Sequence, residues 1–120
     1  MTRRILVTGA SGFLGRHFCD FLKAQSVEVH TLSRTSIEGL QNHQASPTDV
    51  DAHSLVMQRV KPDGVLHLAG TGSGGFANCI RVNTLYAAAL LDAMSDVGLA
   101  ACPVLLVGSA AELGELTTVP

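Results

Sequence analysis

Apolar residues along this chain follow two alternating periods, and the alternation predicts strands and helices in turn. Short runs of consecutive apolar residues are typical of strands that are buried on both faces of a parallel sheet. Between these runs, apolar residues recur every three or four positions, as they do on the buried face of a helix. The predicted strands are 5–8, 27–33, 65–69 and 104–107, and the predicted helices are 13–25, 51–60 and 77–97.

The pattern is weakest in the middle of the chain. Residues 34–49 are mainly polar and contain Pro47, so we expect a loop there, with a short third strand before Asp49. The segment KPDG at 61–64 ends the second helix, and Gly98 ends the third. The packed face of the first helix is predicted to consist of Phe13, Leu14, His17, Phe18, Phe21 and Leu22.

Three glycines, Gly9, Gly12 and Gly15, lie between the first strand and the first helix. A pyrophosphate binds where backbone N–H groups and the positive end of a helix dipole come within hydrogen-bonding distance, and side chains in the turn would prevent this approach. Gly9 permits the tight turn, Gly12 a close approach to the phosphates, and Gly15 close packing of the helix. The loop predicts a dinucleotide site, with a turn that binds no ligand as the alternative. Its neighbours in the predicted site are Ser11, Phe13 and Leu14.

Alternating strands and helices with right-handed crossovers form a parallel sheet with helices on both faces, and such sheets bind ligands at the carboxyl ends of their strands. The chain has 120 residues, of which 47% are hydrophobic and 15% charged. This size is that of one domain. We therefore expect an α/β fold, a Rossmann-type doubly wound parallel sheet of about five strands. Residues 1–120 are predicted to form an NAD(P)-binding domain that is incomplete at its C-terminal side.

Charge and composition exclude several other classes of protein. The net charge of -2 gives no reason to expect nucleic acid or a membrane surface as a partner. The apolar run after Arg3 and Arg4 is interrupted from Thr8 onward, unlike a signal peptide, so we expect a cytoplasmic protein. The three cysteines are odd in number, far apart and without a CxxC pair, which predicts free, buried or half-buried thiols and no metal site. They are Cys19, Cys79 and Cys102.

Four segments, in order along the chain, resemble motifs of the extended short-chain dehydrogenases/reductases, the NAD-dependent epimerase/dehydratase family. Residues 8–15, TGASGFLG, resemble the family's TGxxGxxG loop, and residues 62–70, PDGVLHLAG, resemble its PDxVxHLAA strand. Residues 82–93, VNTLYAAALLDA, are similar to its VNxxGTxxLLxA helix. Residues 108–114, GSAAELG, resemble the GSSAEYG loop of enzymes that act on GDP-mannose-derived sugars. The resemblance therefore covers nearly the whole chain.

The resemblance places the end of the fourth predicted strand beside the cofactor. It implies that the backbone around Leu68, Ala69 and Gly70 contacts the nucleotide and that His67 helps to shape the pocket. A histidine in an apolar strand is also found as a hydrogen-bonded core residue. That alternative assigns His67 no role at the site.

Two further positions are implied by the resemblance. Asn83 matches an asparagine near the nicotinamide side of the family's site, and a solvated helix residue is the alternative. Asp49 and Val50 match an Asp-Leu pair whose aspartate meets the adenine amino group. A helix N-cap is the alternative for Asp49, because aspartate is favoured at that position.

The end of the second predicted strand bears on the choice between NAD and NADP. A carboxylate there accepts hydrogen bonds from the ribose of NAD and repels the additional phosphate of NADP, whereas arginine and hydroxyl groups bind that phosphate. The chain has Ser33 and Arg34 at this point, and the next acidic residue is Glu38. We therefore expect NADP, with Arg16 assisting from the first helix. NAD is the alternative cofactor, and a solvated loop cation is the alternative for Arg34.

The resemblance implies a tyrosine acid/base, a lysine four residues later that lowers its pKa, and a hydroxyl that polarises the substrate. Tyr86 is the only tyrosine, and Leu90 stands four residues later, so the YxxxK pair is absent. We expect Tyr86 to be a core or dimer-facing residue. Ala110 stands where GSSAEYG has its second serine, and Ser109 would replace that serine only after a backbone shift. Glu112 resembles a glutamate that some dehydratases use as a base, with a surface carboxylate as the alternative.

These observations predict the NADP-binding portion of an oxidoreductase, epimerase or dehydratase that acts on a nucleotide-activated sugar or similar small molecule. The remaining catalytic residues are expected beyond Pro120, so the fragment itself is predicted to be inactive. The alternative is a non-catalytic dinucleotide-binding sensor or scaffold module. The helix at 77–97 resembles one of the pair through which family members dimerise, which predicts a homodimer. Ordinary packing of this helix on the sheet is the alternative.

Overall fold

The computed structural model of the protein describes residues 2–108, which form one five-stranded sheet with helices on both faces. The strands are β1 (Arg4–Thr8), β2 (Glu28–Ser33), β3 (Gln41–Gln44), β4 (Gly64–His67) and β5 (Val104–Leu106). The helices are α1 (Phe13–Ala24), α2 (Val50–Val60), α3 (Gly75–Ile80) and α4 (Tyr86–Asp96), and a π-helical turn (Arg81–Leu85) joins α3 to α4. All neighbouring strands are parallel, which confirms the predicted Rossmann-type α/β fold. β3 confirms the short strand expected before Asp49.

The strand order β3-β2-β1-β4-β5 places the reversal of the sheet between β1 and β4. From β1 the chain moves outward through β2 and β3, and it then returns to β4 on the other side of β1. The connections after β1 and β4 consequently lead to helices on opposite faces. A crevice opens between such connections at the carboxyl ends of the strands, where doubly wound sheets bind ligands.

Two apolar clusters, one on each face of the sheet, hold the layers together. The first lies under α2 and α4 and includes Leu32, Met57 and Leu90, all fully buried. The second lies under α1 and includes Val7 and Cys19. Full burial of each large aliphatic side chain stabilises the fold by about 1.5–3 kcal/mol. The clusters therefore fix β1, β2 and β4 relative to the helices that surround the crevice.

The prediction for the packed face of α1 is largely wrong. Four of its six members are exposed, namely Phe13, Leu14, His17 and Phe21. The residues that face the sheet are Gly15 and Cys19, which are buried, and Leu22, which packs on the second cluster. Because Gly15 has no side chain, α1 approaches the turn after β1 closely, and this contact sets the rotation of the helix. The larger aromatic residues consequently point to solvent.

The long helix predicted at 77–97 differs in two respects. It begins at Gly75, and it contains the π-helical turn Arg81–Leu85 between α3 and α4. A π turn inserts one residue into the helix and shifts the phase of its side chains, and such turns often accompany functional sites. This turn includes Asn83. The apolar pattern does not reveal it, because alanine and leucine on both sides continue a helical period.

Residues 2–108 lack the features of a membrane-spanning helix and of a metal site. No helix in that range has the length and apolar character needed to cross a membrane. No three side chains of His, Cys, Asp or Glu in the same range are grouped so as to hold a metal ion. The three cysteines are free thiols, one buried and two half-buried, as predicted.

Candidate dinucleotide-binding site

A trough runs across the carboxyl ends of the strands and consists of two adjoining cavities. The first, of about 430 Å³, lies over β1 and β2, and the second, of about 730 Å³, lies over β4 and β5. Predicted site residues that line the first cavity are Gly9, Ser11, Gly12, Ser33, Arg34, Leu68, Ala69 and Gly70. The last three also line the second cavity, where they are joined by His67 and Asn83. Sequence elements far apart in the chain thus meet in one groove.

The turn after β1 is packed so closely that only glycine fits at two positions. Gly9 has a φ of +68°, and a Cβ there would lie 2.6 Å from the backbone nitrogen of Ala69. A Cβ on Gly15 would lie 2.0 Å from the carbonyl oxygen of Gly9. The first contact joins the turn to the end of β4, and the second joins α1 to the turn. The turn is therefore held rigidly at the centre of the trough.

The N-terminus of α1 opens beside this turn without a capping side chain. Its N-cap, Gly12, makes no side-chain hydrogen bond, and the first turn contains no acidic residue. Uncapped N–H groups at the positive end of a helix dipole favour an anion. The side chains of Phe13 and Leu14 are exposed, and neither residue lines the two cavities of the trough. The local geometry is that of a phosphate cradle.

A buried hydrogen-bonded pair ties β1 to β4 directly below the trough. Thr8 Oγ1 lies 2.8 Å from His67 Nδ1 and accepts a hydrogen bond from the N–H of Ala69 at 3.2 Å. The hydroxyl therefore joins the end of β1 to both the side chain and the backbone at the end of β4. Burial, and to a lesser extent the nearby His53, lower the pKa of His67. His67 is therefore a neutral, hydrogen-bonded core residue that also forms part of the cavity wall.

Tyr86 is a lining residue that the sequence analysis did not place at the site. It is 5% exposed, and its hydroxyl donates a hydrogen bond of 3.1 Å to the carbonyl oxygen of Leu32 at the end of β2. Its ring lies edge-on to His67, with centroids 4.9 Å apart, and it contributes to the first cavity. In the motif VNxxGTxxLLxA, the position of Tyr86 corresponds to the glycine. That departure was the available sequence signal for a side chain directed into the pocket.

The titration of Tyr86 provides a direct test of this packing. Burial raises its pKa to about 12, although the nearby Arg34 lowers it slightly. The chain has one tyrosine and no tryptophan, so tyrosinate absorbance in the near ultraviolet reports Tyr86 alone. The contribution of the neutral phenol to folding is fully present below the unfolded-state pKa of 10.0 and is lost as the pH rises toward about 12. We expect tyrosinate to appear near pH 10.0 in the urea-unfolded chain and near pH 12 in the folded protein. Coincident titrations would contradict the buried placement.

Ser33 and Arg34 form the outer wall of the first cavity. The Ser33 hydroxyl is hydrogen-bonded to the backbone of Thr35, accepting its N–H at 3.3 Å and donating to its carbonyl oxygen. Arg34 is exposed, and none of the carboxylates in residues 2–108 forms an ion pair with it. Its guanidinium is consequently available to an anion in the groove.

The remaining predicted residues lie at different distances from the trough. Asp49 caps α2, its Oδ1 accepting the N–H of Ala52 at 3.0 Å, and neither Asp49 nor Val50 lines the trough. The Asn83 amide is bonded to both backbone groups of Thr71, accepting its N–H at 2.8 Å and donating to its carbonyl at 2.7 Å. Asn83 therefore holds the loop after β4 in place at the second cavity.

The two residues proposed for catalysis cannot be located in the trough. Ser109 and Glu112, together with Ala110, lie outside the described residues. The last residue of β5, Leu106, and the following Val107 help to line the second cavity. Their roles stay predictions from the sequence.

The model of the NAD dependent epimerase/dehydratase family matches residues 5–120 of the chain. The chain belongs to this family. Among solved structures, a presumed epimerase from Burkholderia cenocepacia is 30% identical, with a TM-score of 0.79 over 93% of this chain and 39% of that protein. The UDP-glucose 4-epimerase of Thermus thermophilus, solved with NAD, is 26% identical, with a TM-score of 0.70 over 80% of this chain and 35% of that protein.

A third solved structure shares the fold at lower identity. WbmG from Bordetella bronchiseptica, solved with NAD and UDP, is 23% identical, with a TM-score of 0.71 over 82% of this chain and 36% of that protein. The chain thus spans between about a third and two fifths of the length of these three relatives. The activity and substrate of the whole protein are therefore matters for proposal.

Proposed function

We propose that the chain forms the NADP-binding portion of an oxidoreductase, epimerase or dehydratase that acts on a nucleotide-activated sugar or similar small molecule. The observation that carries the proposal is the uncapped N-terminus of α1, set by Gly9 and Gly15 at the reversal point of the sheet. It opens into a trough whose outer wall carries Arg34. This arrangement suits an extended ligand with a central diphosphate.

The residues of the trough fit a nicotinamide dinucleotide from one end to the other. The α1 N-terminus with Ser11 and Gly12 would hold the pyrophosphate, and Ser33 with Arg34 would bind the adenosine ribose. The backbone at the end of β4 lies next to the cavity that Asn83 lines. It would lie beside the nicotinamide half of the dinucleotide. The bound nicotinamide supplies or accepts hydride. Asp49 caps α2 through its Oδ1, and its contact with the adenine amino group stays a prediction.

NADP is preferred over NAD in this proposal because of the charge at the end of β2. Arg34 has no carboxylate partner in the described part of the chain, and the Ser33 hydroxyl lies beside it at the cavity wall. A guanidinium binds phosphate by charge-assisted, often bidentate hydrogen bonds. NAD is the competing cofactor, since the Thermus relative was solved with it.

We also propose that residues 1–120 alone catalyse no reaction. The only tyrosine, Tyr86, donates a hydrogen bond to the carbonyl oxygen of Leu32 and has a raised pKa, which opposes the role of an acid/base that ionises near neutral pH.

A homodimer through the outer face of the α3–α4 segment also stays a prediction. The exposed side chains of Ile80, Leu85 and Leu91 support it.

Replacing Arg34 with glutamine tests the cofactor assignment. We expect the affinity for NADP+ to fall about tenfold, because a charge-assisted hydrogen bond to the ribose phosphate is lost. The affinity for NAD+ is expected to change little, since NAD+ has no phosphate at this position. Calorimetric titration of both dinucleotides into the full chain measures the two affinities.

The matched control for Arg34→Gln is Arg59→Gln, which removes the same charge from an exposed position on α2 away from the trough. It is expected to leave both affinities unchanged. Equal binding of NADP+ and NAD+ by the unaltered protein would reject the NADP preference. Binding of neither would reject the proposed dinucleotide site itself.

A further inference from the structure

We infer that Asn42 on β3 is a positioning residue for cofactor specificity, because its side chain holds the loop 34–40 that begins with Arg34. The inference rests on the proposed function, in which Arg34 binds the ribose phosphate of NADP. Asn42 does not line the trough, so it would act through the loop and not by touching the ligand.

The Asn42 amide makes four hydrogen bonds, three with backbone groups of the loop and one with the hydroxyl of Thr31 on β2. Its Oδ1 accepts the N–H of Ile37 at 2.8 Å and the hydroxyl of Thr31 at 2.7 Å. Its Nδ2 donates to the carbonyl oxygens of Ile37 at 2.7 Å and Leu40 at 2.8 Å. One side chain thus replaces the strand or helix partners that the loop backbone lacks.

The end of the loop next to β2 is fixed by hydrogen bonds between residues close together in sequence. The hydroxyl of Ser33 bonds to the backbone of Thr35, immediately after Arg34. The side chains of Ile37 and Leu40 pack on the second apolar cluster. Asn42 supplies the hydrogen bonds that accompany this packing, so the loop leaves β2 and returns to β3 along one path.

Order in this loop affects the binding of the ribose phosphate more than the binding of the rest of the dinucleotide. An exposed arginine on a disordered loop must be ordered when it binds, and that entropy reduces the affinity, whereas a preorganised loop avoids the loss. The loop packs against α1, but the Gly9 turn of the pyrophosphate cradle makes no hydrogen bond to it among the described residues. Loss of the Asn42 bonds should therefore weaken binding of NADP specifically.

Asparagine is the side chain that meets these requirements. Aspartate has the same shape and keeps the acceptors for Ile37 and Thr31, but it has no donors and would face the Ile37 and Leu40 carbonyl oxygens with a negative charge. Leucine has similar volume and removes all four bonds. The variants Asn42→Asp and Asn42→Leu therefore separate loss of the donors from loss of the whole network.

The experiment measures dinucleotide binding and loop order in the unaltered protein, in both Asn42 variants and in Gln41→Leu. Gln41 is an exposed amide on the same strand with no hydrogen bond to the loop among the described residues, which makes it the matched control. Titration calorimetry gives the ratio of the NADP+ and NAD+ affinities. Hydrogen exchange at the Ile37 and Leu40 amides reports loop order without any ligand.

Asn42→Leu is expected to exchange the Ile37 amide at least about tenfold faster, and Asn42→Asp to increase that exchange less, because its carboxylate still accepts the Ile37 N–H. Both variants are expected to lower the NADP+/NAD+ affinity ratio, by about fivefold in Asn42→Leu, with NAD+ affinity retained. Gln41→Leu should change neither quantity. Equal loss of both affinities would indicate general destabilisation and overturn the inference, as would unchanged exchange of the Ile37 amide in Asn42→Leu. If the unaltered protein shows no NADP+ preference, the proposed function fails at that point, whereas the exchange result still decides whether Asn42 orders the loop.

Discussion

Replacing Gly15 with alanine is expected to destabilise the folded protein by about 3 kcal/mol or more and to abolish dinucleotide binding with it. The new Cβ would lie 2.0 Å from the Gly9 carbonyl oxygen and 2.6 Å from the Cα of Ala10. Both are backbone atoms of a turn that is itself pressed against the end of β4. The clash is relieved only if α1 moves away from the sheet, which exposes the second apolar cluster. Urea unfolding followed by circular dichroism measures the loss.

Gly12→Ala is the matched comparison for this variant. A Cβ at Gly12 would lie 3.4 Å from the Gly9 oxygen, an ordinary contact, and its φ of -75° suits any residue. We expect Gly12→Ala to remain within about 1 kcal/mol of the unaltered protein in stability. Its dinucleotide affinity should nevertheless fall, because the added methyl group stands at the helix N-terminus. If Gly15→Ala were as stable as Gly12→Ala, the described docking of α1 would be incorrect.

Acidification below about pH 6.5 is expected to destabilise the protein steeply, because three histidines have lowered pKa values in the folded state. Burial is the main cause for each of His43, His53 and His67. His53 and His67 are 0% and 5% exposed, and each has a ring nitrogen with no hydrogen-bond partner in the described part of the chain. Protonation would place a charge among apolar side chains, which is why burial lowers the pKa of both rings.

The sign of the pH dependence follows from the direction of these shifts. Below the unfolded-state pKa of 6.5, the unfolded chain binds protons that the folded protein does not. The stability is therefore fully present above pH 6.5 and is lost as the pH falls toward the lowered folded-state pKa values. Each such histidine contributes a slope of up to about 1.4 kcal/mol per pH unit.

Urea unfolding at a series of pH values between neutral and mildly acidic measures this slope. His53→Gln is expected to make the slope shallower, because glutamine retains a donor for the Ser46 carbonyl, which His53 Nε2 contacts at 3.0 Å, without a titrating ring. His17→Gln on the exposed face of α1 is the comparison. A slope that is the same in all three proteins would show that His53 is not buried as described.

The features that could be predicted from the sequence depend on neighbours in the chain. Each strand run and the turns at Gly9 and Gly98 are determined by local backbone and side-chain preferences, and the structure confirms their places. The parallel sheet follows from the order of the elements together with the handedness of the crossovers. The glycine loop could be assigned to the start of α1 for the same reason, since its strand, turn and helix are contiguous.

The fine arrangement of the site could not be predicted, because it depends on contacts between distant segments. Tyr86 reaches Leu32 across 54 positions, and Thr8 meets His67 across 59. The exposed aromatic residues of α1 follow from the closeness of Gly15 to the turn, which an amphipathic pattern does not encode. Asp49 is the N-cap of α2, one of the two roles that the sequence allows it, and its contact with adenine stays a prediction.

The sequence by itself determined the fold class, the family motifs and the place of the glycine turn that we propose as the phosphate cradle, because these reside in contiguous residues with strong backbone preferences. The tertiary structure decided which side chains surround that cradle and which support it from behind. Asn42 illustrates the difference. In the sequence it is one polar residue in a polar segment, and only the return of the loop to β3 brings four hydrogen-bonding groups within its reach.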